Sequence, residues 1–275
     1  MCDLDGCINY DHLPEIKVDP EQRRRFLKGM AGLPLASILA FPELASAATS
    51  GMKNITINTP AGKSVTASVA FPMQEKAPTI LLIHEWWGLN NQIKVMAAEF
   101  AKLGYIAVAV DMYGGEVATD PEGAMALMKG VTPESGTDTV TAWIDWLKNH
   151  ERSTGKVATM GWCFGGGWSL NASLANKVDA TVIYYGRVNK TAEQLATLES
   201  PVLGHFGTED KSINKEMVNG FLNAAKDAGK DKQILTYWYN ANHAFANPTG
   251  ARYDEADAAL AWERTQVFLK AHLSS

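Results

Sequence analysis

Six short apolar runs recur along the chain: Thr79–Ile83, Tyr105–Val110, Val157–Met160, Ala180–Tyr185, Val202–Phe206 and Ile234–Tyr239. Unbroken apolar runs of this length read as strands buried on both faces, and such strands are parallel ones covered by helices. Helical spacing fills the gaps. Ile93, Met96, Phe100 and Leu103 share one face, and so do Val140, Trp143, Ile144 and Leu147. A last helix from about Asp254 presents Leu260, Val267 and Phe268 to a core. Strands alternating with helices predict an α/β chain with a doubly wound, mostly parallel sheet. Ahead of it, Ile55-Thr-Ile57 and Val65–Phe71 alternate around Pro60-Ala-Gly62, which predicts a hairpin and brings the sheet to about eight strands. The short stretch between Tyr185 and Pro201 leaves no room for a separate lid domain.

Composition narrows the function classes. With 46% hydrophobic and 20% charged residues in 275, disorder and coiled coil are excluded. A net charge of −5, with no basic block beyond the N-terminus, argues against a nucleic-acid partner. The one basic cluster is Arg23-Arg-Arg-Phe-Leu-Lys28. An uncharged stretch, Gly29 to Pro42, follows it, and then the small-x-small triplet Ala45-Ser46-Ala47. That order resembles a twin-arginine export signal. It predicts a removable leader over 1–47, a single domain over 48–275, the twin-arginine machinery as partner, and a periplasmic or secreted product. Pro34 and Pro42 break the stretch, which is too short for a stable membrane anchor. No metal-ligand cluster or phosphate loop is present, so neither metal nor organic cofactor is expected.

Cys2 and Cys7 leave with the leader, and Cys163 becomes the only thiol. It lies in Met160-Gly-Trp-Cys-Phe-Gly-Gly-Gly167, between a predicted strand and a predicted helix. Gly-x-Cys-x-Gly in that context matches a nucleophile elbow with Cys in place of Ser. The nucleophile takes a left-handed backbone, and side chains two positions away on either side would collide with strand and helix. Gly161 and Gly165 meet that need, and Cys163 then projects over a helix N-terminus. An acid and a histidine are expected further on, each past its own strand. Asp210, in Gly207-Thr-Glu-Asp210, and His243, in Tyr239-Asn-Ala-Asn-His-Ala-Phe245, come in that order, with Glu209 as a fallback acid. Among the other histidines, His205 reads as a packed core side chain, and His150 and His272 as exposed helical positions. The loop Ile83-His-Glu-Trp-Trp-Gly-Leu-Asn-Asn91 is placed to supply one oxyanion donor, the N–H of Trp86, with the N–H of Phe164 as the other. Glu85 would stand beside the thiol, where a carboxylate opposes thiolate formation.

His84-Glu-Trp-Trp-Gly-Leu-Asn90, Asp111-Met-Tyr113, Gly161-Trp-Cys-Phe-Gly-Gly166, Tyr184-Tyr-Gly186, Gly207-x-x-Asp210 and Asn242-His-Ala-Phe245 together resemble the dienelactone hydrolase family, from about Thr56 to the end. The resemblance implies a lidless α/β-hydrolase with a Cys-His-Asp triad, Cys163, His243 and Asp210. It also implies a carboxylate that suppresses the resting thiolate until substrate binds, the place Glu85 occupies. In that family two arginines hold the carboxylate of dienelactone, one in the loop after the Asp-x-Tyr strand end and one four residues past the histidine. Here those places read Gly114-Gly-Glu116 and Asn247, which points to another ester or lactone. Trp87, Tyr113, Trp168, Arg187, Phe245 and Arg252 are the candidate pocket residues. The expected activity is hydrolysis of a small-molecule ester or lactone through an acyl-enzyme. A thioesterase or acyl transferase on the same residues and a non-catalytic exported binding protein are the alternatives.

Twin-arginine transport carries folded proteins, so folding would shelter Cys163 before it meets oxidants. Sending the unfolded chain through the general export route should therefore lower activity and leave Cys163 oxidised by mass spectrometry. An equally active, unoxidised product would break that rationale.

Overall fold

The apolar runs are strands. The computed structural model describes residues 38, 39 and 42–274, so the paired arginines and most of the expected leader lie outside the described residues. Strands β3 (Ala77–Ile83), β4 (Ile106–Val110), β5 (Ser153–Trp162), β6 (Ala180–Tyr184), β7 (Val202–Gly207) and β8 (Ile234–Tyr239) pair in parallel. The hairpin β1 (Lys53–Asn58) and β2 (Ser64–Ala70) adds antiparallel on β4. The eight-stranded order is β1-β2-β4-β3-β5-β6-β7-β8.

Side-chain alternation decides what each face carries. Ile80, Leu82, Met160 and Val182 pack with Ile93, Met96 and Phe100 of α2 (Asn91–Lys102) and with Phe268 and Leu269 of α8 (Glu255–Leu273). Leu81, Ile83 and Val108 point the other way. They meet Val140, Trp143, Ile144 and Leu147 of α4 (Pro133–Asn149) and Trp168 and Ala172 of α5 (Phe164–Ala175). Ile183, Val202 and Phe206 extend that second face under Val218 and Phe221 of α7 (Lys215–Asp227).

Capping residues set several helix starts. Asp120 and Thr132 accept backbone N–H bonds and are each followed by Pro at the first helical turn of α3 (Pro121–Gly130) and α4. Two expectations about apolar faces change. Leu103 ends α2 rather than lying on its face and is 47% exposed, because Gly104, at φ +95°, turns the chain away. On α8 the buried line is Ala261, Thr265, Phe268, Leu269 and Leu273, and Leu260 and Val267 are only half-buried. Between β6 and β7 the only helix is the single turn α6 (Ala192–Leu195), so no lid domain is inserted there. The triplet Ala45–Ala47 lies within α1 (Pro42–Thr49), with Ala45 buried in a small cluster with Val95 of α2.

Gly136 shows how closely α4 and α5 meet. A Cβ there would stand 2.1 Å from the Trp168 indole. Gly136→Ala should cost about 1–3 kcal/mol, as overpacked core sites do. Urea unfolding should show this as a lowered midpoint with an unchanged slope.

Candidate active site

The site grows from the junction of β5 and α5. β5 ends at Trp162, α5 begins at Phe164, and Cys163 alone makes the turn at φ 54°, ψ −114°. Such a backbone costs a non-glycine residue roughly 1–3 kcal/mol. Its N–H donates to the carbonyl of Tyr184 at 3.0 Å, while its carbonyl accepts from Gly166 and Gly167. A Cβ on Gly161 would lie 2.0 Å from the carbonyl oxygen of Gly165, and one on Gly165 would lie 2.1 Å from that of Ile83. Both glycines are therefore required, as the sequence pattern predicts. Among the described residues two more non-glycines have positive φ, Tyr185 at 38° and Ala244 at 65°, and both sit at this site.

His243 and Asp210 arrive from the ends of β8 and β7. His243 Nε2 lies 3.1 Å from Cys163 Sγ, and its Nδ1 lies 2.6 Å from Asp210 Oδ2. The other oxygen of Asp210 accepts the N–H groups of Ser212 and Ile213 at 2.8 and 2.9 Å. Asp210 is buried, whereas Glu209 is exposed and does not replace it. Burial acts to raise the Asp210 pKa, but the bonds from His243, Ile213 and Ser212 prevail and hold it below its ordinary value. Burial likewise disfavours a charged His243, yet Asp210 and Cys163 outweigh it and raise the imidazole to about 10.

The loop after β3 lies beside this row. Phe164 opens α5, so its N–H has no carbonyl one turn earlier to bond, and the N–H of Trp86 has no partner among the described residues. Glu85 is buried, and two neighbouring side chains hold its carboxylate. Tyr185 Oη donates to one oxygen at 3.2 Å and Asn247 Nδ2 to the other at 2.6 Å, while the thiol pairs with His243. Burial raises the Glu85 pKa despite these bonds and the nearby His243 and Arg252 charges.

The candidate pocket residues separate. Trp86 and Trp87 are half-buried and meet edge-on at 5.0 Å. Tyr113 is half-buried, with its ring against His84 and Phe164. Arg187 and Arg252 are exposed, and the Arg252 charge is felt at Glu85. Trp168 and Phe245 are corrections: both are core side chains. Trp168 packs beneath Phe164 and against α4, and Phe245 is enclosed by Tyr185 and Tyr239. His205 is a packed core residue, bonded to Tyr239 and Thr265, as its place inside a strand predicts. His150 and His272 are half-buried rather than exposed, His150 against Phe71 and Trp146 and His272 against Phe268. Sequence reasoning did not assign Tyr185, Asn247 or His84 to the site. Asn247 carried a signal, four residues past His243, but its bond to Glu85 spans 162 positions and only the fold reveals it.

An eight-stranded, mostly parallel sheet with a sharp strand-to-helix turn after β5 defines the α/β-hydrolase fold. The model of the dienelactone hydrolase family matches residues 65–273, and the chain belongs to that family. It is similar to a carboxymethylenebutenolidase of Pseudomonas putida, 28% identical over 79% of this chain and 95% of that protein. It is also similar to protein usf of Aquifex pyrophilus, 31% identical over 72% of this chain and 89% of that one. Among solved structures it superposes on a dienelactone hydrolase-like promiscuous phosphotriesterase from metagenomic libraries. The TM-score there is 0.72 at 22% identity, over 82% of this chain and all of that one.

The His243 shift has a pH signature. A raised imidazole pKa contributes stability that is complete below the ordinary value of 6.5 and is lost as pH rises through about 10. The difference in unfolding free energy between wild type and His243→Gln should be largest below pH 6.5 and shrink towards pH 10. Urea titrations across that range will measure it.

Proposed function

We propose that this ester or lactone hydrolase works by covalent catalysis at Cys163 and acts in the periplasm after twin-arginine export. One observation carries the mechanism. Sulfur, imidazole and carboxylate stand in a row at three strand ends, separated by 3.1 and 2.6 Å. That row fits the roles of nucleophile, proton relay and orienter.

With the thiol's proton held on His243, the sulfur attacks the acyl carbon. The carbonyl electrons move onto oxygen, which the N–H groups of Trp86 and Phe164 receive. Collapse re-forms the carbonyl and expels the alkoxide, to which His243 returns the proton. Water, activated by the same imidazole, then cleaves the thioester and restores the thiol. Asp210 fixes the tautomer and offsets the imidazolium charge in each half-reaction.

The substrate class follows from the walls. Trp86, Trp87 and Tyr113 offer aromatic surface, and the connection over the site is too short to cap it. Asn247 is committed to Glu85 and to Thr249, so it is not free to grip a substrate carboxylate. This supports an ester or lactone other than dienelactone itself.

Cys163→Ala should lower hydrolysis across a panel of small esters and lactones by at least about 10³-fold, with the circular dichroism unchanged. Full residual activity would remove Cys163 as nucleophile. Product partitioning when amine or thiol acceptors compete with water separates hydrolysis from acyl transfer. A thiol inert to alkylation would favour a binding protein instead.

A further inference from the structure

We propose that His84 is a positioning residue that aims the N–H of Trp86 at the oxyanion, an inference that rests on the hydrolase reading above. His84 follows β3 and is fully buried. Its Nδ1 lies 2.6 Å from the carbonyl oxygen of Glu85, and its Nε2 lies 3.2 Å from the backbone N of Met112. These partners fix the tautomer. A carbonyl only accepts, so Nδ1 carries the hydrogen, and an amide N–H only donates, so Nε2 is bare. Burial lowers the pKa to about 4, against smaller opposing effects from Glu85 and Asp111, so the ring is neutral at physiological pH.

The carbonyl of Glu85 and the N–H of Trp86 belong to one planar trans peptide and point in opposite directions. His84 draws that carbonyl towards itself, and the N–H of Gly88 reaches it as well at 3.3 Å. Met112, the other partner of the ring, lies just past β4, and β3 runs between β4 and β5. With the carbonyl of Glu85 held against the ring, the N–H of Trp86 faces away from it, which in this proposal is towards Cys163 and Phe164. The first turn of α5 confirms the closeness there, because a Cβ on Gly165 would strike the carbonyls of Ile83 and His84.

The ring itself is held in place. Tyr113 packs edge-on against it at 4.6 Å, and Phe164, the residue of the other donor, stacks at 5.9 Å. Gly88, at φ +98°, lets the loop fold back, and a Cβ there would lie 2.5 Å from the carbonyl of Glu116. The imidazole therefore ties the oxyanion loop to the neighbouring strand end and sets its peptide plane, without touching substrate.

Two variants divide these tasks. His84→Phe keeps a ring between Tyr113 and Phe164 but has no nitrogen. His84→Asn keeps a donor near the place of Nδ1 and gives up the ring and the bond from Met112. Each is measured for ester hydrolysis and for alkylation of Cys163 by iodoacetamide, a reaction that develops no oxyanion. His84→Phe should lower kcat by about 10²-fold with KM nearly unchanged and alkylation at the wild-type rate. His84→Asn should recover most of kcat despite a lower Tm. The inference fails if His84→Phe hydrolyses like wild type, if His84→Asn is as slow as His84→Phe, or if alkylation falls in step with hydrolysis. A wild type inert to the whole ester panel overturns the hydrolase reading and this inference together.

Discussion

The backbone contact between the first turn of α5 and the end of β3 governs the site. Gly165 lets the helix approach the carbonyl of Ile83, and Gly161 lets the chain double back beneath Gly165. Any side chain at either place would push helix and strand apart. Cys163, squeezed between them, has a positive φ that only the surrounding structure can impose. The same contact brings together the first amide of α5 and the loop after β3. The thiol and these backbone amides thus have a common origin, and neither can be adjusted without the other.

Electrostatics then sorts two buried carboxylates into different states. Asp210 is met by two backbone N–H groups and an imidazole, enough to keep it ionised in a dry setting. Glu85 receives a phenol and an amide, and burial prevails there, favouring its proton. Environments that push two acids in opposite directions assign them separate tasks. Asp210 steadies the charge on His243. Glu85 is anchored to Tyr185 and Asn247, and the charge it feels from the row is that of His243.

The core of this arrangement could be read from the chain because it obeys local rules. Apolar runs of four to six residues announced the strands, and the glycines around Cys163 announced the turn. Asp210 and His243 were legible because each follows a strand end. The pocket was read less well. Trp168 and Phe245 are aromatics near the motifs, and proximity in sequence does not say whether a ring lines a cleft or fills a core; packing under Phe164 and Tyr185 decides it. Leu103 fitted a helical face, but Gly104 ends the helix first. Asn247 and Tyr185 escaped because their importance lies in one bond each to Glu85, over separations that no periodicity encodes.

The single helical turn between β6 and β7 carries a kinetic meaning. Enzymes with mobile covers spend part of each cycle opening and shutting, and that motion often limits turnover. A connection of one helical turn holds no inserted domain that would have to swing aside before a substrate enters or a product leaves.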